Sequence, residues 1–136
     1  MLSAHLQAQL SQKARQAMKN AYAPYSRIQV GAALLTETGN LYAGCNVENA
    51  SYGLTICAER AAVAAAVAGE GPEMRIDALA VVSDPPAPFA PCGACRQVLL
   101  EFGADAVIIF QGRDGLTEAL AGELLPQGFR WPEGRN

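Results

Sequence analysis

Three cysteines and one glutamate carry most of the chemistry open to this chain. Cys57-Ala58-Glu59 lies on one segment, and Pro91-Cys92-Gly93-Ala94-Cys95 on another, whose first cysteine comes 35 positions after Cys57. Three thiolates are one ligand short of a closed tetrahedral zinc site, so Cys57, Cys92 and Cys95 would hold one Zn2+ per chain and leave a position for water. Glu59, two residues from the first ligand, is placed to take that water's proton, which predicts a hydrolytic centre. Arg60, next in line, is a candidate donor to a ligand sulfur, where it would drain the net negative charge of a tris-thiolate site; the alternative is a solvated helix charge. Two readings from other classes use the same cysteines. A Cys-x-x-Cys pair at a helix start has thiol-oxidoreductase spacing. That reading leaves Cys57 and Glu59 idle, and the pair follows a proline-rich loop, Asp84 to Pro91, rather than a strand. A structural zinc domain needs a fourth ligand, which Cys45 supplies only if it faces the other three.

The whole chain narrows the setting. Its 136 residues, 51% of them hydrophobic, suffice to fill the core of one domain spanning 1–136. Gln7, Gln9, Gln12, Lys13 and Arg15 interrupt the N-terminal stretch, so it lacks the apolar run of a signal peptide, and no later run approaches membrane-spanning length. The expected location is cytoplasmic, where thiols stay reduced and four cysteines read as thiols or metal ligands. Cys45 falls in an apolar strand pattern and reads as a small buried hydrophobe. A formal net charge of −3 gives no footprint for a polyanion, so a small molecule is expected as partner rather than a nucleic acid polymer. His5, far from the motifs, reads as a surface residue.

The elements that must position these groups follow from the apolar spacing. Ser3 caps a helix running to about Ala21, with Leu6, Leu10, Ala14, Ala17, Met18 and Ala21 on one face. Ile28 to Leu35 and Leu41 to Val47 read as strands around a Gly39-Asn40 hairpin connection, and Met74 to Ser83 and Ala106 to Phe110 as strands buried on both faces. Strand, helix, strand, helix, strand from 41 to 110 implies parallel pairing with helices packed on the sheet. The helix from about Cys57 to Ala68 is apolar nearly all round; its second side is either ordinary core or the face of another subunit. Both Cys57 and the Cys92/Cys95 pair fall at helix starts, where free N–H groups and the positive end of the dipole stabilise thiolates.

Around these motifs the chain resembles the small homotetrameric zinc-dependent cytidine deaminases in six ordered blocks. These are Ala23-Pro24-Tyr25-Ser26, Val30-Gly31-Ala32-Ala33-Leu34, Gly44 through Gly53, Cys57-Ala58-Glu59-Arg60, Pro91 through Val98, and Glu123-Leu124-Leu125-Pro126. The resemblance implies a three-layer α/β/α fold with a mixed sheet of about five strands. It implies hydrolysis of cytidine and deoxycytidine to uridine and deoxyuridine plus ammonia, in pyrimidine salvage. Zinc would activate the water and Glu59 would shuttle its protons to ring nitrogen N3 and the leaving amino group. By the same resemblance Asn46 and Glu48 read the ribose with Val47 lending backbone between them, Ala58 N–H donates to the base carbonyl, and Tyr52 is a pocket wall. Vicinal hydroxyls suit one carboxylate and one amide, and alternation along a strand puts 46 and 48 on one face. The resemblance places Phe129 over the base in a neighbouring subunit; the alternative is that Phe129 and Trp131 pin the tail to their own domain. Two positions depart from the pattern: Ile28 replaces the usual Phe of the base pocket, and Ala90 stands where Ser or Thr is common. A blasticidin-type deaminase would share the zinc motifs, but Asn46-Val47-Glu48-Asn49 and Leu124-Leu125-Pro126 favour cytidine.

Overall fold

Ser3 opens the first helix as its spacing predicts, its hydroxyl accepting from Leu6 N–H at 3.2 Å. The computed structural model describes residues 2–132, and in it α1 runs Ala4–Met18. It stops short of the expected Ala21 because Lys19 and Asn20 turn the chain and Tyr22 leaves to bridge Val47.

Five strands follow: β1 (Gln29–Thr36), β2 (Leu41–Cys45), β3 (Ile76–Asp84), β4 (Val107–Gly112) and β5 (Gly115–Leu120), side by side in the order β2-β1-β3-β4-β5. The sheet is mixed. Parallel pairing holds between β3 and β4, but β1 lies between β2 and β3, antiparallel to both, so the predicted run of parallel neighbours is corrected there. The reason is local: the tight turn at Glu37 to Asn40, with Gly39 at φ 92, folds β2 directly back on β1. β2 also ends two residues earlier than expected, since Val47 pairs with Ile56 instead of continuing along β1.

Helices cover both faces. On one, Leu10 and Ala14 of α1 pack on Ala33, Ala78, Ala80 and Ile109. On the other, α2 (Ala58–Glu70) and α3 (Gly93–Phe102) set Ala62, Val63, Ala66 and Leu99 against Ala32, Leu34, Leu79 and Ile108. Burial on both faces explains why β3 and β4 read as continuous apolar runs. Two glycines let the helices sit close. A Cβ on Gly44 would lie 2.5 Å from the Ala62 nitrogen, and one on Gly31 would strike the Ala14 carbonyl of α1. Of the two readings of the second side of α2, ordinary core is the one that fails: Ala62, Val63 and Ala66 are buried, whereas Ala64, Ala65 and Ala68 are exposed on the single chain. At its far end Glu70 Oε2 accepts from Thr36 Oγ1 and Thr38 Oγ1, both at 2.9 Å, and from Asn40 Nδ2 at 3.0 Å, stapling the helix to the β1–β2 turn. A short helix α4 (Ala121–Leu124) follows β5, its Ala121 and Gly122 N–H groups donating to Ala106 O at 2.9 Å and Ala104 O at 2.8 Å.

Candidate active site

Both helix starts that carry cysteines arrive at one place. Cys57 is the N-cap of α2 and Cys92 the N-cap of α3, and neither side chain is spent on capping. The sulfurs of Cys57, Cys92 and Cys95 all lie within 4.8 Å of one another. Sulfurs on a tetrahedral zinc with bonds of about 2.3 Å stand roughly 3.8 Å apart, so the three thiols fit that ion with small side-chain adjustments. Cys45, half-buried at the end of β2, is not part of the cluster. The structural-zinc reading thus lacks its fourth cysteine among the described residues. Arg60 stands where a thiolate needs a donor: its Nη2 reaches Cys57 Sγ at 3.3 Å and Thr55 O at 3.4 Å, while its Nε is buried without a partner among the described residues.

The charge states follow from this packing. A hydrogen bond from Cys95, together with the Arg60 guanidinium, draws the Cys57 thiol down to about 5 despite burial. Cys95, fully buried and sharing that hydrogen bond with Cys57, moves the opposite way. Glu59 is 4% exposed, and burial pushes its carboxyl up to about 7, with the nearby Cys57 charge adding and its own N–H and Arg60 opposing.

The cysteines open onto a cavity of about 270 Å3. Cys57, Cys92, Ala58 and Glu59 are among its lining; Cys95, buried, is not. Asn46, Glu48, Ser26 and Thr55 supply polar groups, and Ile28, Val30, Phe89 and Ala90 the apolar wall. Asn46 is also a latch: its Oδ1 accepts from Val30 N–H at 2.8 Å and its Nδ2 donates to Ile28 O at 2.9 Å, leaving one lone pair and one hydrogen of the amide over. Glu48 Oε1 accepts from the Tyr25 and Ser26 N–H groups at 2.9 and 3.1 Å, and with the Ser26 hydroxyl these hold its carboxyl below the ordinary value.

Other residues singled out in the sequence stand elsewhere. Val47 is outside the cavity lining, and its N–H and C=O both pair with Ile56 at 2.9 Å. Its backbone thereby fixes the residue before Cys57 instead of facing the cavity. Tyr52 is 74% exposed, stacks edge-on against Tyr25 with centroids 5.8 Å apart, and lines a neighbouring cleft that shares Ser26, Glu48 and Thr55 with the first. Phe129 lies outside the cavity of its own chain, 65% exposed and edge-on to Trp131, though Gln97 of α3 clasps its backbone N–H and C=O. His5 is exposed, as expected. Sequence reading passed over Phe89; the available signal was a lone aromatic among prolines, three positions before Cys92.

Comparison with known proteins bears on this geometry. The pattern described as the cytidine and deoxycytidylate deaminase zinc-binding region matches residues 5–111. A cytidine deaminase from Halalkalibacterium halodurans is 49% identical over 122 residues, covering 88% of this chain and 91% of the relative. The crystal structure of a cytidine deaminase from Burkholderia pseudomallei superposes with a TM-score of 0.80 at 43% identity, covering 94% of this chain and all of that one. Blasticidin-S deaminase from Bacillus cereus is more distant, 27% identical over 105 residues, covering 71% of this chain and 74% of the relative.

Proposed function

The chain belongs to the cytidine and deoxycytidylate deaminase family, and from that premise we propose that it hydrolyses cytidine to uridine and ammonia. The observation that carries the reading is the convergence of Cys57, Cys92 and Cys95 beside buried Glu59 at the end of a nucleoside-sized cavity. Zinc held by the three cysteines would supply Lewis-acid activation of a water, while Arg60 and the two helix N-termini offset the thiolate charge.

The side chains of the cavity then divide the work. Glu59 takes a proton from water and gives it to N3 of the pyrimidine as the water oxygen bonds to C4, then takes that oxygen's remaining proton and passes it to the amino nitrogen, so that the C4–N bond breaks and ammonia leaves. The water oxygen remains as the C4 carbonyl of uridine. Glu48 and Asn46 recognise the ribose hydroxyls at the other end, Ala58 N–H at the first turn of α2 donates to the base carbonyl, and Ile28 packs on the base. Deoxycytidine belongs to the same reading as second substrate, with pyrimidine salvage as the use and the cytoplasm as a compartment that keeps the thiols reduced. A homotetramer completes it, supported by the bare alanine face of α2 and the uncovered Phe129.

Ultraviolet absorbance of cytidine incubated with the purified protein tests the reading, because loss of the amino group changes the chromophore. Conversion should stop when the metal is chelated away and resume with added zinc. A fully zinc-loaded protein that leaves cytidine unchanged overturns the proposal.

A further inference from the structure

We propose that Phe89 is the face on which the pyrimidine ring packs, and hence a specificity-determining residue of this chain; the proposal rests on the deaminase reading above. A pyrimidine offers a hydrogen-bonding edge and two flat π faces. Its N3 and C4 edge must meet Glu59 and the cysteines, and its ribose must point toward Asn46 and Glu48, so within one chain the faces meet the apolar wall. That wall is aliphatic at Ile28, Val30, Ala58 and Ala90, and among the described residues Phe89 is the one aromatic ring lining it.

The main chain that carries this ring is anchored on both sides. Phe89 N–H donates to Gln111 O on β4 at 2.9 Å, and two residues on, buried Pro91 accepts from Arg96 Nε at 2.7 Å. Despite that anchoring, Phe89 stays 36% exposed. A large apolar side chain that lines a cavity from an anchored main chain and stays partly uncovered has surface to offer a planar ligand. Its position three residues before Cys92 ties the ring to the segment that carries the metal ligands.

Aromatic stacking beyond simple area burial corresponds to roughly two- to twelvefold in affinity. With a parent chain that turns over cytidine, Phe89→Leu should raise KM by that factor and raise the inhibition constant of uridine in parallel. Phe89→Ala should raise both further, and Phe89→Tyr should keep the parent values. In all three, zinc content stays full and kcat stays within about twofold, since the lost contact is equal in ground and transition states. Adding Ile28→Phe to Phe89→Leu should recover part of the loss, because both positions line one cavity. An unchanged KM and uridine constant in Phe89→Leu overturns the proposal, and so does a fall in kcat together with zinc content, which would make Phe89 only a brace for the metal loop. A zinc-loaded parent inert toward cytidine defeats the deaminase reading itself and is recognised before any variant is made.

Discussion

Glu59 occupies a position where a glutamate ordinarily does little. Carboxylates in a first helical turn usually face solvent and offset the dipole, for a few tenths of a kcal/mol up to about 1. Here the side chain is 4% exposed and faces the cavity beside Cys57, where burial costs free energy that helix stabilisation alone does not return. A proton-transfer role accounts for that expense. Glu59→Gln keeps volume and shape, so the variant should hold full zinc and bind nucleoside while kcat drops by roughly 10²–10⁴-fold. Metal analysis and steady-state kinetics check both halves, and retention of more than about a tenth of the parent kcat would hand the proton to another group. The cavity's other polar residues are less clean to probe. Asn46 is bonded to the Ile28 and Val30 backbone, so replacing it disturbs β1 as well as any ribose contact. The Glu48 carboxylate is bonded to the Tyr25–Ser26 turn and not to the sheet backbone, which makes it the better probe of substrate binding.

At the level of elements, α2 is held at both ends, by the Val47–Ile56 pairing before Cys57 and by the Glu70 staple to the β1–β2 turn. The Asn40, Thr38 and Thr36 side chains keep the Glu70 carboxyl below its ordinary value. Ionised Glu70 therefore stabilises the fold above the usual carboxylate range, and that contribution is lost as pH falls through the folded-state value. Glu70→Gln should lower Tm at pH 7, and the gap between parent and variant should narrow as the pH is taken below about 4; a gap that does not change with pH would mean the staple is not electrostatic in origin. Which elements were legible in the sequence follows from their physics. α1, β1, β3 and the two cysteine-bearing helix starts announce themselves through caps, apolar period and ligand spacing. β5, Gly-Leu-Thr-Glu-Ala-Leu, does not, because it is a half-exposed edge strand without an apolar run. The placement of β1 between β2 and β3 was equally hidden, since chain order alone does not say which strand a hairpin inserts. Within the site, the cysteines and Glu59 were readable from spacing. Phe89 enters the lining only through the path of a loop tied to β4, and Val47 turns its backbone to Ile56 because the strand ends early.

For the whole molecule, the question is what covers the surfaces that one chain leaves bare. α2 presents Ala64, Ala65 and Ala68 outward, small side chains against which another backbone could lie, and Phe129 and Trp131 are 65% and 68% exposed. Gln97 fixes the Phe129 backbone by both ends of its amide, so the ring is displayed from a held tail although it lies outside the cavity of its own chain. A homotetramer in which Phe129 reaches a neighbour's cavity would account for both surfaces and make each site depend on two chains. Light scattering should then give about four times the 14.3 kDa chain mass. The sharper experiment mixes two impaired chains, Glu59→Gln and Phe129→Ala, after dissociation and reassociation. Where a Phe129→Ala chain contributes Glu59 and a Glu59→Gln chain contributes its intact Phe129, a complete site is rebuilt. Activity per Glu59-bearing chain should therefore rise above that of pure Phe129→Ala enzyme. If verified mixed tetramers show no rise while Phe129→Ala alone is clearly impaired, the aromatic acts within its own chain, and the exposed tail must fold back over the cavity when substrate binds.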